Sequence, residues 1–67
     1  MKIQSITGIN SYTLLVYRSL DCLYHFSIID FTGVAFNFDS VFLTAEEANI
    51  KGRRAVEIAC DFDMHLQ

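Results

Sequence analysis

The hydrophobic pattern changes its period once along the chain. From residue 12 to residue 39 apolar and polar side chains alternate, whereas after residue 44 the apolar positions recur every three or four residues. Alternation is typical of strands with two different faces, and the longer spacing is typical of an amphipathic helix. The pattern therefore predicts an antiparallel sheet followed by one C-terminal helix, which is a two-layer α+β domain.

Three segments of the alternating region predict strands, at residues 12–18, 22–30 and 34–39. Gly33 lies in the short connection between the last two. Its freedom to adopt a positive φ suits a hairpin turn. Residues 1–7 alternate only weakly, so we leave open whether this segment adds a fourth strand at the edge of the sheet.

The helix is predicted to begin after Thr44. Residues 44–47 fit a capping box, in which the Thr44 hydroxyl and the Glu47 side chain each bind the other's backbone amide. We expect the helix to end between Cys60 and His65. Its apolar side is one stripe with three flanking positions: Ala48, Gly52, Ala55, Ala59, Phe62 and Leu66, widened by Ala45, Val56 and Ile58.

The centre of this stripe consists of small residues, whereas the sheet face predicted to meet it is bulky. That face carries Tyr24, Phe26, Phe36 and Phe38. Large rings against a bare helix backbone fill the space between two layers at native density. A glycine inside a helix costs about 1 kcal/mol relative to alanine. We therefore expect an aromatic ring to approach the helix closely at Gly52.

The opposite face of the predicted sheet is also apolar. It presents Leu15, Tyr17, Leu23, His25 and Ile29, interrupted by small polar side chains. A sheet face in contact with water usually reads as polar, and large exposed apolar patches usually mark interfaces. We therefore predict that these five residues form a homodimer interface. Tyr17 is its expected anchor, because aromatic residues dominate interface energies.

Two alternatives remain for this outer face. Residues 1–9 could fold back over it, or a different protein could cover it. Some cover is expected because 52% of the 67 residues are apolar, and a chain of this size buries only about 60% of its unfolded surface.

Composition excludes several classes of protein. The length allows one domain, residues 1–67, and a net charge of −3 argues against a sequence-independent nucleic-acid binder. Six phenylalanines and three tyrosines argue against disorder. Two cysteines, Cys22 and Cys60, are too few for a disulfide scaffold, and we expect both to be free thiols.

The chain also lacks the patterns that direct proteins into or across membranes. No apolar run approaches the roughly 20 residues that a spanning helix needs. The first residues have one lysine but no continuous apolar core, unlike a secretory signal. We therefore expect a cytoplasmic protein.

One cluster in the C-terminal tail has residue types that bind metals. Asp61, Asp63 and His65 occupy alternate positions and would point the same way in an extended chain. A metal site needs three or four converging ligands with further hydrogen-bonded support. We therefore expect a solvated tail rather than a metal site.

A second cluster surrounds His25. Ser27 follows two residues later on the same strand, and Asp30 and Asp39 are candidate neighbours across the hairpin. Nucleophilic catalysis also needs donors for the developing oxyanion, and a flat strand without a glycine-rich loop provides none. The sequence therefore predicts no catalytic residue and no cofactor, and His25 is assigned to the interface.

The segment Phe42-Leu43-Thr44-Ala45-Glu46-Glu47-Ala48 resembles the helix start of several small domains. It is similar to the arm-binding domains of phage-type integrases, to plant AP2-type DNA-binding domains and to HicB-like antitoxin domains. The resemblance implies a layout of three strands and then a helix. The DNA-reading families would imply Arg and Lys on the outer sheet face, where this chain has apolar residues, so only the layout is carried over.

Taken together, the residues predict a small non-catalytic interaction or regulatory module that self-associates through its outer sheet face. The alternative is a nucleic-acid-associated accessory domain. In that case Arg18, Arg53 and Arg54 would contact phosphates. Salt-sensitive binding to a duplex would distinguish the two.

Overall fold

The computed structural model describes the backbone of residues 1–66 and the side chains up to Phe62. Four strands form one antiparallel sheet in the order β1-β2-β3-β4, and a helix follows. This confirms the predicted two-layer α+β fold. The elements are β1 (Lys2–Ile9), β2 (Tyr12–Arg18), β3 (Tyr24–Ile29), β4 (Ala35–Asn37) and α1 (Ala45–Leu66).

The N-terminal segment is a full edge strand. It pairs with β2 from Lys2 opposite Arg18 to Ile9 opposite Tyr12, and the pairing shifts by one residue between Ile3 and Ser5. A shift of this kind is a β-bulge, which interrupts alternation and explains the weak pattern in the sequence. Because β1 lies within the sheet, the alternative in which residues 1–9 fold back over the outer face is wrong.

Both strands of the predicted hairpin, β3 and β4, are shorter than expected. β3 begins at Tyr24, because the preceding residues form a turn in which Cys22 has a φ of 64°. Gly33 has a φ of 89° in the β3–β4 connection, which confirms its predicted role. After Asn37 the chain leaves the sheet and returns at Phe42, where the amides of Phe42 and Tyr24 each bind the other's carbonyl oxygen at 2.9 Å.

The helix begins where the cap predicted it, but it continues to Leu66, beyond the predicted end between Cys60 and His65. The Glu47 amide donates to Thr44 Oγ1 at 3.1 Å, which satisfies one of the free amides of the first turn. Glu46 and Glu47 also lie in that turn, where the helix dipole favours negative charge.

The core lies between α1 and the two central strands. Leu14, Val16 and Val56 are the largest fully buried side chains. The remaining members of the cluster are Tyr12, Phe26, Ile28 and Ala48. The predicted inner sheet face is therefore confirmed for β2 and β3.

The predicted helix stripe is only partly correct. Ala48 and Gly52 are buried, and Ala45, Ala55 and Ala59 are half-buried. Ile58 and Phe62, by contrast, are 57% and 62% exposed. They lie on the side of α1 that faces β4, across an open groove. The side chain of Leu66 is outside the described residues.

Two further predictions, the burial of the inner sheet face near β4 and the aromatic partner of Gly52, are wrong. Phe36 and Phe38 are 49% and 38% exposed rather than buried. Gly52 packs against Leu14 rather than an aromatic ring: a Cβ at this position would lie 2.5 Å from Leu14 Cδ1. An aliphatic side chain of β2 therefore sets the distance between the layers at this point.

Candidate interaction surfaces

The outer sheet face carries four of the five predicted interface residues. Leu15 and Tyr17 of β2 pair with Ser27 and His25 of β3, and Ile29 pairs with Thr13. Residues paired in this way share a face. The helix packs on the opposite face, so within residues 1–66 no second layer covers these side chains. Leu23 lies outside the strands, in the turn before β3.

The edge strand β1 enlarges this face. Ile6 pairs with Leu15, and Ile3 pairs with Tyr17. Ile6 is 64% exposed and Ile3 is 50% exposed, whereas the predicted interface residues are each half-buried by their strand neighbours. Sequence reasoning missed both isoleucines, because the bulge hides the register of β1 that places them beside Leu15 and Tyr17.

The centre of the outer face is polar, but its side chains have partners within the same face. Ser27 is buried, and its hydroxyl donates to Asn37 Oδ1 at 2.6 Å. The rings of Tyr17 and His25 stack with their centroids 5.3 Å apart and their planes 16° from parallel. Ser27 and His25 therefore each have a partner within the face itself.

His25 is hydrogen-bonded to a serine other than the one that the sequence suggested. Its Nε2 lies 3.0 Å from Ser19 Oγ, and Ser19 Oγ also contacts Asp21 Oδ1. The hydrogen bond from Ser19 is the main cause that lowers the pKa of Asp21, so that carboxylate is ionised and accepts only. Ser19 Oγ also lies 3.1 Å from the Leu23 carbonyl oxygen, so its single hydrogen has two acceptors within the β2–β3 turn. The contact with Ser19 therefore ties the His25 ring to this turn.

Asp30, one of the two predicted neighbours of His25, instead binds residues of its own turn. Its Oδ1 accepts from the Thr32 amide at 2.9 Å, from Thr32 Oγ1 at 2.6 Å and from the Val34 amide at 3.0 Å. The Thr32 hydroxyl is the main cause that lowers the pKa of Asp30, and partial burial opposes it. Asp30 therefore stabilises the β3–β4 hairpin.

A second apolar surface, which the sequence did not reveal, lies on the inner face between α1 and β4. It is an open groove of about 890 Å³ with Tyr12 and Ile28 at its floor. The strand side is formed by Phe36 and Phe38 with Phe31 of the hairpin, and the helix side is formed by Ala55, Ile58, Ala59 and Phe62. The Phe38 ring lies 4.7 Å from Phe26, centroid to centroid, which fixes one end of the groove to the core.

The remaining candidate groups do not converge. In the described part of the chain, no group of three His, Cys, Asp or Glu residues could hold a metal ion. Asp63 and His65 of the tail cluster lie outside the described side chains. Cys22 and Cys60 are both free, and the Asn10 amide donates to Cys60 Sγ at 3.5 Å. Arg54 pairs with Glu57 at 3.1 Å on the exposed side of the helix.

No protein-family model matches the chain, and searches of curated proteins and of solved structures found no significant match. Within the described residues, no helix has the length and apolar character needed to cross a membrane. The two apolar surfaces, the outer sheet face and the groove, are therefore the features from which a function can be proposed.

Proposed function

We propose that this protein is a small non-catalytic interaction module that self-associates through its outer sheet face. The observation that supports this most directly is the apolar strip formed by Ile3 and Ile6 of β1 with Leu15 and Tyr17 of β2. Ile29 of β3 lies on the same face, diagonal to Leu15, and the helix lies on the other side of the sheet.

Self-association is the simplest cover for such a face. An antiparallel sheet with one solvated face normally alternates between apolar and polar residues. Here the outer positions of β1 and β2 are mostly apolar, although the inner positions already supply the core. Two copies related by a two-fold axis would bury the same strip on both chains.

The test is sedimentation equilibrium of the full chain over a wide concentration range. The double variant Tyr17→Asp/Leu23→Asp should lower the mass by a factor of two. Ile6→Asp should act in the same direction, and because the Ile6 side chain is 64% exposed, its replacement leaves the core intact.

Leu20→Asp is the matched control. Leu20 is 94% exposed in the β2–β3 turn and lies off the strip, so the same introduced charge should leave the mass unchanged. Circular dichroism establishes that each variant is folded. Folded outer-face variants that keep the wild-type mass would contradict the proposal.

A further inference from the structure

The groove between α1 and β4 has the size and the lining of a small-molecule site. Sites for small organic molecules enclose about 300–1,000 Å³ and are lined mainly by apolar side chains, with a few polar groups among them. The groove holds about 890 Å³, and all of its described lining residues except Asp30 and Asn37 are apolar or aromatic. Its volume and its lining therefore both suit a small organic molecule.

The aromatic rings of the groove have free faces. Phe38 packs against Phe26. Phe31, Phe36 and Phe62 are 74%, 49% and 62% exposed, and within the described residues none of these three contacts another ring. Because the face of an aromatic ring is electron-rich, it attracts cations as well as apolar groups. The rings therefore leave space between them for a ligand of either kind.

One carboxylate is the only charged group among the described lining residues. The Thr32 hydroxyl lowers the pKa of Asp30 below its ordinary value, so this side chain is ionised at neutral pH. Its three hydrogen bonds, from Thr32 and Val34, all reach Oδ1, and Oδ2 accepts none of them. The other polar side chain, Asn37, binds Ser27 on the outer face. The groove thus combines apolar rings with a single negative charge.

The carboxylate lies at one end of the groove. Asp30 follows the last residue of β3, and its backbone amide binds the Val34 carbonyl oxygen. Phe36 pairs with Ile28 farther along the strands, and Phe38 packs against Phe26 beyond that pair. Four residues of extended chain, from Phe26 to Asp30, span about 13 Å. An elongated molecule with one charged end matches this arrangement.

A protein partner is a poorer occupant. The exposed parts of the four rings total about 450 Å² at roughly 200 Å² per ring, whereas each partner in a standard protein interface buries about 800 Å². A second copy would also bring a net charge of −3 to the Asp30 carboxylate. A small cation requires less area and has the complementary charge.

We infer that the groove binds a small organic cation, an ammonium group attached to an elongated apolar body. The ammonium lies beside Asp30, where the neighbouring Phe31 offers an aromatic face, and the apolar body lies along Phe36 toward Phe38. This site is on the inner face of the sheet, so it does not depend on the proposed function.

Three probes with the same apolar body separate charge from hydrophobicity. They are 4-phenylbutylammonium, 4-phenylbutanol and 4-phenylbutyrate, which are cationic, neutral and anionic at neutral pH. NMR titration of the full chain measures the affinity for each, and the shifted amides locate it. We expect the ammonium to bind about fivefold more tightly than the alcohol, the upper range for an exposed ion pair. The carboxylate probe should bind most weakly.

Asp30→Asn tests the charge with little change in shape. It should reduce the affinity for the ammonium to that for the alcohol and leave the affinity for the alcohol unchanged. Asp39→Asn is the matched control, because Asp39 is an exposed acid just beyond β4 that does not line the groove. An Asp30→Asn protein that still prefers the ammonium overturns the inference.

Phe62→Ala tests the apolar part of the site and should weaken binding of all three probes. Leu43→Ala is its control, because Leu43 is 78% exposed outside the groove and Phe62 is 62% exposed within it. Equal affinities for the three probes, or shifted amides away from β4 and the Phe62 side of α1, overturn the inference.

Sedimentation equilibrium identifies the competing occupant. A fall in mass with Ile58→Asp but not with Ile50→Asp would show that a second copy fills the groove, and this would also overturn the inference. The two isoleucines are 57% and 56% exposed, and only Ile58 lines the groove. Failure of the proposed function is a separate result, in which the outer-face variants keep the wild-type mass whatever the probes do.

Discussion

The inner sheet face extends beyond α1 on two flanks, one toward β1 and one toward β4. These two flanks differ in polarity. Toward β1 the inner positions become polar at Ser5 and Thr7, so the edge can face water. Toward β4 they remain aromatic at Phe36 and Phe38, and both rings are partly exposed. The difference shows that the core of a small domain can be complete at one edge and open at the other.

The largest effect on the free energy of unfolding is expected at Gly52, on the buried side of α1 between the two flanks. Gly52→Leu places a side chain where even a Cβ would lie 2.5 Å from Leu14 Cδ1. Since Leu14 is fully buried and has little room to move, the helix must shift. We expect the free energy of unfolding to fall by about 3 kcal/mol, the upper range for overpacking.

Ile50→Ala is the control for that change, because Ile50 lies on the exposed side of the same helix. Its effect should remain within about 0.5 kcal/mol. Denaturant titration measures both variants. Equal free energies of unfolding would show that Gly52 does not face the sheet.

The next effect distinguishes rings that belong to the core from rings that belong to the open groove. Phe38→Ala removes the ring that packs against Phe26 at a tilt of 31° and should lower the free energy of unfolding by about 2 kcal/mol. Phe31 is 74% exposed, so Phe31→Ala should change it by less than about 0.5 kcal/mol.

Both variants are best measured at low protein concentration, so that self-association does not contribute. Thr7→Ala supplies the reference for the polar flank. The contrast between the flanks would be lost if Phe38→Ala cost no more than Thr7→Ala.

The smallest effect concerns the hairpin that carries the aromatic flank. Hydrogen bonding lowers the pKa of Asp30 below its ordinary value of 3.8. A carboxyl group with a lowered pKa stabilises the folded state above its unfolded pKa, and this contribution is lost as the pH falls through the folded pKa. Acidification below about pH 3.8 should therefore weaken the fold slightly.

Asp30→Asn isolates this contribution. Urea midpoints at pH 7 and pH 3 should differ less in the variant than in the wild type, by a small margin because Asp30 lies near the surface. An unchanged difference would mean that the hydrogen bonds from Thr32 do not favour the ionised form over the protonated one.

The sequence predicted those parts of the fold that depend on local pattern. β2 has the predicted bounds, and the helix begins after Thr44, because alternation and capping are decided within a few residues. The register of β1 could not be predicted, because a single bulge at Gln4 shifts the alternation of apolar and polar residues. The partner of Gly52 was also missed, because small residues predict close approach without indicating which side chain approaches.

The surfaces were predictable to different degrees. Alternation places Leu15, Tyr17, His25 and Ile29 on one face, and the strand pairing agrees. Whether these residues form an interface stays a prediction. The groove was not predicted, because alternation also assigns Phe36 and Phe38 to the helix side. How far one helix extends across a sheet depends on strand number and width, which no local pattern records.

The strand order has a kinetic consequence. Each strand pairs with its neighbour in the chain, so the sheet closes only short loops, and domains built from such local contacts fold quickly. A sheet that assembled before the helix docked would expose its inner face, with Leu14 and Val16, along its whole width. Speed of docking, as much as final stability, would protect this protein from aggregation.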